Sequence, residues 1–166
     1  MPALYYVNVT IHVLAAMLWL GGMFFLAVVG APALRAIESP ALRRQLFQEL
    51  GLRFRSVGWW AIGTLIVTGI VNLYYRGWLR WDGVFASPAF WRTPVGHSLA
   101  LKLSAVTAMV AVSAIHDFWI GPLAGRVAPT SPRALALRRW AALLARANAI
   151  LGIIVVIAAV QLARGV

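Results

Sequence analysis

Four long apolar stretches dominate the pattern of hydrophobic and polar positions along this chain. They cover approximately residues 4–29, 57–75, 94–120 and 140–162. A helix that crosses the hydrocarbon core of a bilayer needs roughly 20 mostly apolar residues, and each stretch has about that length. Helices are expected because lipid cannot satisfy bare backbone amides. The pattern therefore predicts an all-α integral membrane protein with a single transmembrane domain, a four-helix bundle of up-down-up-down topology.

Basic residues between the apolar stretches indicate how the chain is oriented. The first connection carries five Lys or Arg, the second three and the third four, while the N-terminal tail has none and the C-terminal tail one. Cytoplasmic loops are enriched in these residues. The first and third connections are therefore predicted to face the cytoplasm, which places both termini outside (N-out, C-out). We expect a multi-pass protein of the inner (cytoplasmic) membrane, with residues 30–56 forming a short amphipathic surface helix.

Composition narrows the function classes. The chain is 62% hydrophobic and 11% charged, with a formal net charge of +11 and no cysteine. The basic residues stand at the ends of apolar runs, which is how a bilayer sorts charge, and this leaves no basic surface for a phosphate backbone. The lipid bilayer is thus the expected partner, and nucleic acid is not. Thiolate metal sites and disulfides are excluded.

Ionisable residues inside the apolar stretches point to function, because each costs about 2.5 kcal/mol or more to insert. His12 lies in the outer half of the first helix, with Asn8, Trp19 and Met23 on the same face. We expect His12 to bind a ligand and Asn8 to fix the tautomer of its imidazole. The alternative is a histidine that only hydrogen-bonds a neighbouring helix.

A second histidine suggests a cofactor. His97 lies in the first turn of the third helix, and two neutral imidazoles on opposing helices would suit a six-coordinate haem iron. The pattern therefore predicts haem b in the outer half of the bundle, with His12 and His97 as axial metal ligands. Three arginines of the second connection would bind the haem propionates. These are Arg76, Arg80 and Arg92.

Three other polar groups leave alternatives open. Lys102, the only lysine, either pairs with an anionic ligand or reaches the interface. The pair His116-Asp117 is expected near the cytoplasmic boundary in a structural role. A polar stripe recurs every four residues on the second helix and either bonds within the helices or lines a cavity. The stripe consists of Trp60, Thr64, Thr68 and Asn72.

A faint internal repeat is also visible. One stretch begins at His12 and ends with APALR (31–35), and another begins at His97 and ends with GPLAGR (121–126). This similarity would fit two fused hairpins, and chance similarity between apolar segments would also explain it.

Two segments resemble a known family. IHVLAAMLWLGGMFFLAVVGAPALR (11–35) is similar to the first helix of CopD-like membrane proteins, and GHSLALKLSAVTAMVAVSAIHD (96–117) is similar to their third helix. The second segment also resembles the related HemJ, a membrane protoporphyrinogen oxidase, at Lys102 and His116. The resemblance implies a small polytopic protein that binds haem b or handles copper, with His12 and Lys102 at family polar positions.

Four hypotheses follow. The leading one is a haem b protein in electron transfer or haem handling, with a redox protein or a quinol as its partner. The alternatives are copper binding or transport, an oxidoreductase of the HemJ kind, and a scaffold subunit without a cofactor. Copper(I) favours Met and Cys ligands, and the internal methionines are Met17, Met23 and Met109.

Overall fold

The structure is a computed structural model that describes residues 3–79, 84–128 and 131–165. Within these ranges all regular structure is helical. Four helical segments are long and apolar enough to cross a membrane, and this confirms the predicted all-α membrane fold. They are span 1 (Ala3–Arg35), span 2 (Pro40–Tyr75), span 3 (Pro94–Ala124) and span 4 (Pro132–Arg164).

Three of the spans begin with the same local device. A Ser or Thr N-cap precedes a proline at the first helical position, at Ser39, Thr93 and Ser131. In each case the side-chain oxygen accepts a hydrogen bond from the backbone N–H three residues on. The cap satisfies a donor that has no partner within the helix, and proline there loses nothing because its missing N–H would have been unpaired.

The basic segment after span 1 differs from the prediction. Instead of a separate short surface helix, residues 40–56 are the first turns of span 2, which is one α-helix of 36 residues. A helix of that length measures about 54 Å, so it extends well beyond a hydrocarbon core of about 30 Å. No proline follows Pro40 within the span, and the ion pair from Arg53 Nη2 to Glu49 Oε1 (2.7 Å) joins successive turns.

Spans 1 and 3 both contain a π-helical turn close to a proline. Leu26–Gly30 precedes Pro32 in span 1, and Ile115–Ile120 precedes Pro122 in span 3. Proline has no N–H and its ring clashes with the carbonyl four residues earlier. A wider turn removes that clash and lets the helix continue for one or two further turns.

The chain divides into two compact units, Met1–Ala86 and Ser87–Val166. In the first, spans 1 and 2 form an antiparallel hairpin: the Tyr5 and Tyr75 rings meet at one end (centroids 5.6 Å apart), and Gly30 lies beside Leu50 at the other. In the second, spans 3 and 4 are also antiparallel. Ser98 bonds Gln161 towards one end, and Asn148 bonds Ser113 further along.

Candidate metal-binding site in the first hairpin

His12 lies on the face of span 1 that packs against span 2. Its Nδ1 is 2.7 Å from Thr68 Oγ1. The ring also lies beside Gly69, the next residue of span 2, where a Cβ atom would be 3.6 Å from His12 Cε1, an ordinary van der Waals contact. A histidine predicted from its position in an apolar helix is thus held by the second helix of its own hairpin.

The hydrogen bonds of Thr68 determine which nitrogen of His12 carries the proton. Thr68 Oγ1 lies 2.6 Å from the carbonyl oxygen of Thr64, which can only accept a hydrogen bond. The hydroxyl proton of Thr68 is therefore directed to Thr64, and its oxygen accepts the Nδ1–H of His12. In the neutral ring this leaves the lone pair on Nε2, which is the form of imidazole that binds a metal.

Asn8 has a different role from the one predicted. Its Nδ2 donates to Asn72 Oδ1 (2.8 Å) and to the backbone oxygen of Thr68 (3.0 Å). The expectation that Asn8 fixes the tautomer of His12 was wrong, because Thr68 makes that contact. Asn8 instead joins span 1 to span 2 one turn before His12, towards the N-terminus, and so fixes the helix pairing on which the histidine contact depends.

The polar stripe on span 2 explains the contact that sequence reasoning missed. Thr64 donates to the backbone oxygen of Trp60 (2.9 Å), and Thr68 donates to that of Thr64. These threonines thus bond back to their own helix, which is one of the two alternatives predicted for the stripe. Thr68 and Asn72 also bridge to span 1, and the four-residue spacing of the stripe was the signal that they share a face.

Of the other side chains of span 1 near His12, some pack against span 2 and others are exposed. Trp19 is buried, and its Cδ1 lies 3.7 Å from where a Cβ atom of Gly58 would be. This places the indole in the packing between the two helices. Met17 is 65% exposed and points away from the hairpin, whereas Met23 is half-buried on the packed face. Met23 is eleven residues beyond His12, about 16 Å by helical rise.

The second hairpin holds the other predicted ligands. His97 has an exposed side chain, and its backbone N–H donates to Thr93 O (2.9 Å) in the first turn of span 3. Lys102 is half-buried, between Leu99 and Ala105 on the face that packs against span 4. His116 Nδ1 lies 2.9 Å from Asp117 Oδ1 within the π-helical turn.

The arginines of the second connection are at the ends of helices. Arg76 follows the last turn of span 2, and its Cζ lies 5.2 Å from the centroid of the Trp78 ring. Arg92 follows the short helix Pro88–Trp91 and is exposed. Arg80 lies outside the described residues.

Clustered acidic and histidine ligands are not found in the part of the chain that the structure describes. No three His, Cys, Asp or Glu side chains there are grouped so that they could hold a metal ion. What the first hairpin offers is one oriented imidazole in an apolar span. Such a group suits the transient binding of a metal, or the axial position of a macrocycle, better than it suits a closed structural site.

Comparison with known proteins gives the family. The chain matches the family described as Copper resistance protein D (CopD) over residues 48–162. It is also 34% identical over 157 residues to an uncharacterised protein of Aquifex aeolicus (strain VF5), covering 93% of this chain and 92% of that protein. No solved structure matches. The chain therefore belongs to the CopD family of multi-pass membrane proteins.

Proposed function

We propose that this CopD-family protein handles copper in the inner membrane, and that His12 is a copper ligand. The observation that carries the proposal is the hydrogen bond from His12 Nδ1 to Thr68, which puts the proton on Nδ1 and the lone pair on Nε2, the tautomer of imidazole that binds a metal. Imidazole is a ligand that copper accepts readily. The family description supplies copper as the metal to test first.

A sparse ligand set suits copper as cargo. Conduction requires a site that binds strongly enough for the ion to enter and weakly enough for it to leave. His12 supplies one nitrogen, and the soft thioether of Met23 lies further along the packed face of the same span. In this proposal the two residues are successive contacts for an ion that moves along the first hairpin.

Cellular copper provides the test. Cells that express the protein should accumulate copper differently from cells with an empty vector, and His12→Ala should abolish the difference, as measured by elemental analysis of washed cells. His116→Ala is the matched control, because that histidine lies in the other hairpin and bonds Asp117. If His12→Ala, expressed at the same level, leaves copper accumulation as in the wild type, the proposal is wrong.

A second candidate is haem b with His12 as an axial ligand. The same hydrogen bond favours it, since haem and metal-bound histidines are oriented by a partner on the other ring nitrogen. Of the residues in the first hairpin, His12 would hold the iron, and Arg76, an exposed cation that follows the last turn of span 2, would meet a propionate. Bound haem would supply one-electron redox chemistry, and a quinol or a redox protein would then be the partner.

Absorption spectra separate the two candidates. Under the copper proposal, protein purified from haem-replete cells shows no Soret band, and none develops on addition of haem. A Soret band that disappears in His12→Ala would favour haem and would overturn copper as the metal that His12 binds.

A further inference from the structure

The two hairpins share one pattern of burial. Ala15 and Trp19 are buried in span 1, and the residues 90 positions later (105 − 15, 109 − 19), Ala105 and Met109, are buried in span 3. The same shift relates the second helix of each hairpin. Its buried pairs are Gly58 with Asn148, Ile62 with Gly152, and Thr68 with Ala158.

Two further features follow the same shift. The π-helical turn Leu26–Gly30 corresponds to Ile115–Ile120, and Pro32 corresponds to Pro122. The pairing between the two helices of each hairpin agrees as well. Asn8 contacts Asn72 in the first hairpin, and a shift of 90 would pair residues 98 and 162 in the second. Ser98 contacts Gln161, one position from that expectation. The buried positions, the π-helical turns and the contacts between helices are independent observations, and all three agree with a shift of 90 residues between the hairpins.

This register replaces the match suggested by the sequence. The sequence aligned His12 with His97, whereas the shift of 90 (102 − 12) aligns His12 with Lys102. His97 corresponds instead to Val7, and both of these side chains are exposed. Thr68, which orients His12, corresponds to Ala158, which has no hydroxyl group.

Lys102 is therefore placed where the first hairpin holds its candidate ligand. Ser98, Leu99, Ala105 and Met109, which surround its position on the helix, are all buried, so Lys102 lies on the face towards span 4. The one acidic residue of this hairpin is Asp117, fifteen positions further on. That separation is about 22 Å along a helix, so Lys102 lies roughly four turns from that carboxylate along span 3.

We propose that the chain is two copies of one hairpin, and that Lys102 keeps metal cations out of the second copy. An ammonium group has three donors and no lone pair, so it cannot bind a metal. The second hairpin thus keeps the frame of the first but has, in place of the imidazole, a group that is not a metal ligand. This inference rests on the proposed function, because it takes His12 to be the copper ligand.

Restoring the ligand pair in the second hairpin tests the proposal. In purified full-length protein loaded with copper(I) under reducing conditions, we expect the wild type to bind about one copper per chain and Lys102→His/Ala158→Thr about two. Combining that double variant with His12→Ala should return the ratio to about one. Leu101→His/Ala158→Thr is the matched control: residue 101 is exposed, so the ratio should stay that of the wild type.

The outcomes separate the inference from the proposed function. A double variant that is as helical and monodisperse as the wild type but binds no more copper, while the wild type binds one, would overturn the inference alone. A wild type that binds none would overturn the proposed function, and the gain in the double variant would still test the register.

A disulfide test of the register needs no metal. The chain has no cysteine, so paired cysteines can be introduced without background. If Lys102 faces Ala158 as His12 faces Thr68, Lys102→Cys/Ala158→Cys should form an intramolecular disulfide on mild oxidation, as His12→Cys/Thr68→Cys should. Leu101→Cys/Ala158→Cys should not. Failure of the 102–158 pair alone to cross-link would overturn the shift of 90.

Discussion

In the first hairpin, the hydroxyl group of Thr68 on span 2 bonds the imidazole of His12 on span 1. If this contact orients the ligand, Thr68→Val should weaken copper binding by about 10- to 100-fold, the usual cost of losing such a partner. Thr68→Ser should retain most of the affinity, because its hydroxyl can make the same bonds. Competition with a copper(I) chelator measures the difference. Equal affinity in the valine and serine variants would contradict the assigned role of Thr68.

Sequence alone identified His12 but not its partner. An ionisable residue in an apolar helix is conspicuous because the insertion cost has to be offset. Its hydrogen-bond partner depends on which residues of span 2 lie opposite, and that register is a long-range property of the hairpin. Asn8, four residues away in sequence, was the nearest polar candidate, whereas the residue that bonds the ring is Thr68.

At the scale of elements, the start of span 3 depends on one glycine. A Cβ atom on Gly96 would collide with the backbone carbonyl of Phe90, the same carbonyl that accepts the hydroxyl of Thr93 (2.7 Å). Backbone cannot move aside cheaply, so Gly96→Ala should destabilise the protein by about 2 kcal/mol or more, as overpacking substitutions do.

Gly63→Ala provides the matched control for that prediction. Gly63 lies inside span 2 with nothing within 4 Å of its Cβ position. Alanine there should change stability by no more than about 1 kcal/mol, in the direction of stabilisation. Denaturation followed by the loss of helical circular dichroism compares the two variants. Equal stability for Gly96→Ala and the wild type would show that the contact with Phe90 is not tight.

The existence of the four spans could be predicted, but their full extent could not. Hydropathy locates the hydrocarbon-spanning part because the bilayer sets its length. It does not reveal that span 2 begins at Pro40, since helix outside the membrane is stabilised by caps and side-chain pairs such as Arg53 with Glu49. The π-helical turns were also missed, although the prolines that follow them, Pro32 and Pro122, are visible in the sequence.

At the scale of the whole molecule, the charge pattern predicts which ends face outwards. Single cysteines can test this directly. Ser87→Cys, in the second connection, should react in intact cells with a maleimide that cannot cross membranes, because that loop is predicted to face outside. Ala41→Cys, near the start of span 2, should react only after the membrane is permeabilised. Labelling of Ala41→Cys but not Ser87→Cys in intact cells would reverse the orientation.

The central claim is that a metal binds at His12 and that this metal is copper. The most direct measurement is the amount of copper bound per chain in purified protein, for the wild type beside His12→Ala. The account predicts about one copper in the wild type and close to none in the variant, with the helical content unchanged. Equal copper in the two proteins, or none in the wild type, would contradict it.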